Sequence, residues 1–143
     1  MTASIVRPVR LQLTRRDGFR LQAHSYSING LPGKAVARPS KWGNPYSVVR
    51  AGFSRLVGMK FVFEWYVFCD GVVVEVFQAK DAALKCAVGL YEGVCVRPGA
   101  ELASDAVREL RGMNLGCWCP LPAKGEPDVC HAEVLLRIAN DFD

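Results

Sequence analysis

The stretch Asn114-Leu115-Gly116-Cys117-Trp118-Cys119-Pro120 is the centre of the fold that we expect for this chain. It predicts a short strand over Asn114–Cys119. Asp128 is placed to cap a final helix that runs to Asn140. The apolar residues of this helix recur with helical spacing and predict its core stripe: Val134, Leu135, Ile138 and Ala139.

The chain before this stretch begins with an extended pattern. Apolar residues alternate weakly over residues 9–29, on both sides of Asp17-Gly18. An Asp-Gly pair between two alternating runs predicts a β-hairpin, in which Gly18 supplies the positive φ of the turn. A further short strand is expected near Lys34–Arg38, after a turn rich in glycine and proline.

The middle of the chain predicts mainly helices. The apolar residues of Ser54–Asp70 cover a wide arc, which predicts a largely buried helix. A second helix is expected over Asp81–Tyr91, and Ser104 is a plausible N-cap of a third that runs through Arg111. The β-branched segment Gly71–Phe77 is compatible with a strand or with an extension of a helix.

These elements predict an α/β fold: a single compact domain with a small mixed sheet flanked by helices and an N-terminal β-hairpin. We divide the domain into three parts. Residues 1–50 form a basic, β-rich part, and residues 51–98 form a helical part that includes an insertion. Residues 99–143 supply a helix, a strand, a loop with cysteine and histidine, and the final helix.

The composition excludes several classes of protein. The 143 residues are 50% apolar and 22% charged, which is typical of a globular domain and not of a disordered or collagen-like chain. Apolar runs are too short to span a membrane. The N-terminus lacks the basic-then-apolar order of a signal peptide. We therefore expect a cytoplasmic protein with no membrane partner.

The positive charge is concentrated in the first third of the chain. Residues 1–50 carry nine basic side chains and one acidic side chain, Asp17, whereas the remainder carries nine basic and thirteen acidic ones. Such an asymmetry favours an anionic partner, either a nucleotide or a nucleic acid. The alternative is a solvated basic edge with no ligand.

The six cysteines divide into two groups. Cys69, Cys86 and Cys95 lie in apolar surroundings and are expected to be buried side chains. The other group consists of Cys117, Cys119, Cys130 and His131. On a strand, Cys117 and Cys119 point the same way, and Cys130 and His131 are expected in the first turn of the last helix.

Three interpretations of this second group remain open. Its four side chains are a familiar tetrahedral zinc set, although the spacing is not that of a zinc finger and adjacent Cys130 and His131 are not expected to reach one ion without strain. Alternatively, Cys130 or Cys117 is a reactive nucleophile activated by the helix terminus and by His131. In the third interpretation the thiols pack a structural junction that His131 caps.

A second motif lies in the loop Arg38-Pro39-Ser40-Lys41-Trp42-Gly43-Asn44-Pro45. Such a loop suits an anionic, planar ligand: phosphate is expected on Arg38 and Lys41, hydrogen bonds from Ser40 and Asn44, and a stacked base on Trp42. The alternative is a structural loop, in which Trp42 fills the core and Asn44 holds the turn. The loop lacks the glycine and lysine spacing of a P-loop.

Three segments resemble a known family. They are the opening from Arg10 to Leu21, the loop just described, and the closing segment with Leu115-Gly116-Cys117-Trp118-Cys119-Pro120-Leu121 and Cys130-His131-Ala132-Glu133-Val134. This chain is similar in all three to the phage and bacterial proteins catalogued as domain of unknown function 4326. This chain departs from the family pattern in three places. It has Tyr46 in place of phenylalanine, Glu133 in place of aspartate, and a longer loop between Cys119 and Cys130.

The resemblance implies that the loop and the cysteine cluster belong to one site, in a phage or prophage setting. The basic first third, the loop and the cysteine cluster themselves predict action on a nucleotide, nucleoside or nucleic acid, with Cys130 or Cys117 as nucleophile or metal ligand and His131 as general acid or base. The reaction type stays open. The alternative is a non-enzymatic, metal-stabilised module that binds nucleic acid or a host protein.

Overall fold

A computed structural model describes residues 6–50, 55–57 and 60–140. The chain up to Gly43 and from Val96 onward forms one compact unit, and Asn44–Cys95 forms a second. In chain order the elements are β1 (Arg10–Gln12), α1 (Leu21–Asn29), β2 (Gly33–Ala35), β3 (Ser47–Arg50), β4 (Arg55–Val57), β5 (Lys60–Val62), β6 (Trp65–Cys69), β7 (Val72–Phe77), α2 (Lys80–Leu90), a π-helical turn (Tyr91–Cys95), α3 (Glu101–Glu109), β8 (Asn114–Cys117) and α4 (His131–Asn140).

The first unit is built around a parallel three-stranded sheet in the order β1-β8-β2. The central strand β8 is buried along its whole length and pairs with β1 on one side and β2 on the other. Gly116 allows a close approach, because a Cβ at this position would lie 2.9 Å from Leu13. Since the strands are parallel, their carboxyl ends meet at one edge of the sheet.

Helix α4 provides the main apolar cover of this sheet. It contacts β8, β1 and α3. The buried side chains that fill this part of the first unit come from α3, α4, β8 and the residue after α3: Ala106, Leu110, Leu115, Ala132, Val134, Leu135, Leu136 and Ala139. Burial on several faces explains why a strand of only four residues is stable as a central strand.

Asn114 joins the sheet to α1 through a fully buried side chain. Its Oδ1 accepts from the Val9 amide at 2.9 Å and from Asn29 Nδ2 at 3.0 Å. Its Nδ2 donates to Ser25 Oγ at 2.8 Å and to Asn29 Oδ1 at 2.7 Å. Every polar atom of this buried amide is thus satisfied, as burial requires.

The second unit has an antiparallel sheet in the order β3-β6-β7, and a separate ladder of β4 and β5. Asp70 and Gly71, with φ of 52° and 77°, form the tight turn between β6 and β7. Helix α2 packs against this sheet. Val67, Ala83 and Ala87 form the centre of the core of the second unit.

The α/β class expected from the sequence is confirmed, but the N-terminal hairpin is wrong. Gly18 does adopt a positive φ of 82° in a turn. The segment after it forms α1, and β1 pairs in parallel with β8 instead of with its neighbour in sequence. Leu21 and Ser25, four residues apart, both lie close to Gly33 of β2, so helical spacing places them on the sheet side.

The predicted helix over Ser54–Asp70 is also wrong. Its described part forms β4, β5 and β6, while Ser54, Gly58 and Met59 lie outside the described residues. The aromatic and β-branched residues of β6 suit a strand once β3 and β7 flank them. The ambiguous segment before α2 is a strand, β7.

The other helices are confirmed with shifted ends. The expected helix over Asp81–Tyr91 corresponds to α2, α3 begins at Glu101 instead of after Ser104, and α4 begins at His131. None of the described helices is long and apolar enough to cross a membrane. That the chain is a single domain stays a prediction.

Replacing Asn114 tests the role of its side chain in the sheet. Asn114→Ala is expected to lower the free energy of unfolding by about 2 kcal/mol, because it leaves buried partners without hydrogen bonds. Urea denaturation followed by circular dichroism measures this loss. Ser27→Ala is the control, since its exposed hydroxyl donates to the His24 carbonyl of its own helix. Equal stability of the two variants would contradict the role assigned to Asn114.

Candidate metal centre

The candidate site lies at the carboxyl edge of the parallel sheet. Strands β1, β2 and β8 end there at Gln12, Ala35 and Cys117. Ligands of open α/β sheets bind outside the carboxyl ends of the strands. Three loops leave this edge, and they carry the two motifs that the sequence points to.

Three cysteines converge at this edge. The sulfurs of Cys117, Cys119 and Cys130 all lie within 4.8 Å of one another. Cys117 Sγ and Cys119 Sγ are 3.8 Å apart. A zinc ion bound tetrahedrally by thiolates at about 2.3 Å sets sulfur–sulfur distances of about 3.8 Å. The cluster therefore has the dimensions of a metal site.

His131 adds a nitrogen to the same cluster. Its Nδ1 lies 4.0 Å from Cys117 Sγ and 4.0 Å from Cys130 Sγ. Its Nε2 lies 2.8 Å from the carbonyl oxygen of Val36. A carbonyl only accepts, so Nε2 carries the proton and the lone pair is on Nδ1, facing the sulfurs. Adjacent residues Cys130 and His131 therefore both place a possible ligand atom at the cluster.

Hydrogen bonding within the cluster favours one thiolate. Hydrogen bonds with Cys119 and then with Cys130 lower the pKa of Cys117 well below that of an ordinary thiol. The same hydrogen bonds to Cys117 raise the pKa of Cys119 and of Cys130. A metal held by the three cysteines would replace the remaining thiol protons, because thiolates are the metal ligands. Metal affinity is therefore expected to fall as the pH is lowered.

Arg10 holds both cysteine-bearing segments in place. Its Nη1 donates to the Cys119 carbonyl at 2.8 Å, and its Nη2 donates to the Pro120 carbonyl at 2.7 Å and to Asp128 Oδ1 at 3.0 Å. Its Nε donates to the other Asp128 oxygen. Burial acts to lower the pKa of Arg10, but the hydrogen bond with Asp128 raises it overall.

Sequence reasoning missed this role of Arg10. It counted Arg10 among the basic residues facing an anion and assigned Asp128 to a helix cap, whereas the structure buries Arg10 and pairs the two side chains. The signal in the sequence was an arginine beside the apolar Leu11 within a short strand. Such a side chain is buried only when it is paired.

Residues of the loop after β2 are buried or form hydrogen bonds within the protein. Trp42 is only 2% exposed, in agreement with the structural alternative for this residue. Ser40 Oγ donates to the Ala37 carbonyl at 2.7 Å. Gly43 lies so close to Arg38 that a Cβ would come within 2.9 Å of its backbone. The loop shape thus depends on this glycine.

The remaining predicted ligand-binding residues have different surroundings. Lys41 is exposed and donates to Glu109 at 2.8 Å and to Asp105 at 3.4 Å, both on α3. Asn44 belongs to the second unit, where it accepts from the Tyr46 amide and donates to the Ala87 carbonyl. Arg38 is exposed. The structure therefore brings together the four cluster residues, whereas Ser40, Lys41 and Asn44 of the loop form hydrogen bonds within the protein.

Replacing Arg10 tests its hold on the cysteine segments. Arg10→Lys keeps the charge but cannot reproduce the forked bonds to Asp128 and to two carbonyls. We expect a loss of about 3 kcal/mol in the free energy of unfolding. Urea denaturation with Arg20→Lys, an exposed matched control, measures it. A loss no larger than in the control would show that the buried pair contributes nothing.

Comparison with known proteins places the chain in a family. No curated protein and no solved structure matches it significantly. The family model described as Domain of unknown function (DUF4326) matches residues 20–141. This range includes the loop after β2 and all four residues of the cluster. The chain belongs to the family of domain of unknown function DUF4326.

Proposed function

We propose that this domain binds zinc and presents a binding surface for a nucleotide or nucleic acid at the carboxyl edge of its parallel sheet. The observation that carries the proposal is the convergence of three sulfurs within 4.8 Å, with His131 Nδ1 4.0 Å from two of them. It favours the metal-stabilised module over the enzyme.

The donor set supports zinc as the metal. Three thiolates and one imidazole are soft and borderline ligands that zinc accepts in tetrahedral geometry. The proposed ligands are Cys117, Cys119, Cys130 and Nδ1 of His131. Such a set is closed, as in structural zinc sites, and it would hold the end of β8 against the start of α4. The Val36 carbonyl supports it from outside by orienting the imidazole.

The charge of the surrounding loops supports an anionic ligand. Arg15, Arg16 and Arg20 follow β1, and Arg38 and Lys41 follow β2, so the basic third of the chain borders the carboxyl edge. Phosphate groups are the anions that arginine recognises best through its planar donors. A phage setting and a host-protein partner remain expectations from the family resemblance.

A second candidate function is catalysis by a cysteine of the cluster. The observation that favours it is the lowered pKa of Cys117 beside Cys119 and Cys130. In this case Cys117 or Cys130 is the nucleophile and His131 the general acid or base. Their exposed fractions, 5% for Cys117 and 1% for Cys130, favour metal binding, since a nucleophile needs access to its substrate.

The metal content of untagged protein separates these functions. We expect one zinc ion per chain by elemental analysis, lost in Cys117→Ser and in Cys130→Ser but retained in Cys86→Ser, a cysteine of the second unit. Chelation is expected to lower the melting temperature of the wild type. Metal-free protein with one rapidly alkylated thiol at Cys117 would instead support the enzyme.

Ligand binding is tested with ATP, a single-stranded oligonucleotide and a DNA duplex, each titrated at several salt concentrations. We expect binding of at least one probe, with an affinity that falls steeply as salt rises, because phosphate contacts release counterions. Lys85→Ala, an exposed basic side chain on α2 of the second unit, is the control for a positive charge outside the three loops of the carboxyl edge. Salt-independent binding, or none, would contradict the nucleotide or nucleic-acid ligand.

A further inference from the structure

We propose that Trp118 and the arginines of the loop after β1 form a docking surface for single-stranded nucleic acid, here called the Trp118 surface: Arg15, Arg16, Arg20 and Trp118. This inference rests on the proposed function and deepens it, because it names the ligand class and its location. From the sequence, base stacking was expected on a different residue, Trp42.

Trp118 is an exposed aromatic side chain next to the sulfur cluster. It is 45% exposed, in contrast to the buried Trp42. Its neighbours on both sides, Cys117 and Cys119, are members of the sulfur cluster, and Arg10 holds the Cys119 carbonyl. The indole is therefore exposed on a backbone that is fixed on either side. An exposed, fixed aromatic ring is what a stacked base requires.

Arg15 already interacts with this ring. Its Cζ lies 5.0 Å from the centroid of the Trp118 ring, within the range of a cation–π contact. Arg15 belongs to the loop after β1, and Trp118 to the loop after β8, so two loops of the carboxyl edge meet here. A guanidinium beside an exposed indole provides a positive charge for phosphate next to a surface for a base.

The arginines of this loop are positioned to offer their charge to a ligand. Arg15, Arg16 and Arg20 are exposed. Among residues 6–50, 55–57 and 60–140, no carboxylate forms an ion pair with any of the three. Lys41, by contrast, is paired with α3. Arg15 thus offers its positive charge to a ligand beside Trp118, and Arg16 and Arg20 add positive charge to the same loop.

A cavity lies in the same loop after β1. It has a volume of about 320 Å³, and two arginines, Arg16 and Arg20, line it together with the acidic Asp17. An aromatic ring followed by several separate positive groups suits successive nucleotides of one strand. A duplex hides the faces of its bases, so it cannot stack on Trp118. These features favour single-stranded nucleic acid over a duplex.

The test is fluorescence anisotropy with a fluorescein-labelled single-stranded oligothymidylate and the full, zinc-loaded chain. Trp118→Ala is expected to weaken binding about tenfold, and Trp118→Phe to restore most of it. Arg15→Ala/Arg16→Ala is expected to reduce the slope of log affinity against log salt by about 0.7 for each phosphate that the variant no longer neutralises. Leu121→Ala, on the same loop, and Lys85→Ala, in the second unit, are the controls.

Several outcomes overturn the proposal. The proposal is wrong if Trp118→Ala and Leu121→Ala bind the oligonucleotide with equal affinity. It is also wrong if a duplex of the same sequence binds as tightly as the single strand. If the wild type binds zinc and ATP but not the oligonucleotide, the docking surface is wrong while the proposed function stands. If Trp118→Ala loses zinc, its affinity no longer reports on stacking alone. The variant Arg15→Glu/Arg16→Glu then tests the surface, since it changes exposed charges only. Unchanged affinity in that variant refutes the proposal.

Discussion

The buried pair of Arg10 and Asp128 is the interaction that holds the site together. Arg10 lies on an outer strand of the parallel sheet, and Asp128 lies just before the last helix. A buried arginine is tolerated only when its donors are satisfied, and here the carboxylate and the carbonyls of Cys119 and Pro120 accept from them. The pair thereby closes the long loop between β8 and α4.

Closing this loop is what assembles the sulfur cluster. Cys117 ends the central strand, while Cys130 precedes α4, and the path of the loop together with the packing of α4 on β8 brings their sulfurs close. His131 then connects the cluster to the end of β2 through the Val36 carbonyl. A metal at this point would join the end of β8 to the start of α4, and His131 would link it to the end of β2. The exposed loops at the same edge therefore extend from a well-connected sheet and helix. Loops held in this way are suited to ligand recognition.

The sequence supported the prediction of the cluster better than that of the sheets. The cluster residues could be grouped from the sequence because the strand, the loop and the helix start that carry them are each recognisable from local patterns. These residues are Cys117, Cys119, Cys130 and His131. The hairpin prediction failed because β1 pairs with β8, more than a hundred residues away, and local alternation contains no information about such a partner. The helix prediction before β7 failed for the same reason, since the aromatic residues of β6 form a strand only between β3 and β7.

Sequence patterns alone were sufficient for the α/β class, for the strand and helix around the cluster, and for the concentration of positive charge in the first third. Which of these charges remain available to a ligand became clear only from the packing of the folded chain. The fold buries Arg10, pairs Lys41 with α3, encloses Trp42 and leaves Arg15 beside an exposed Trp118. The physical reason is that burial and pairing depend on neighbours distant in sequence, which composition and periodicity do not encode.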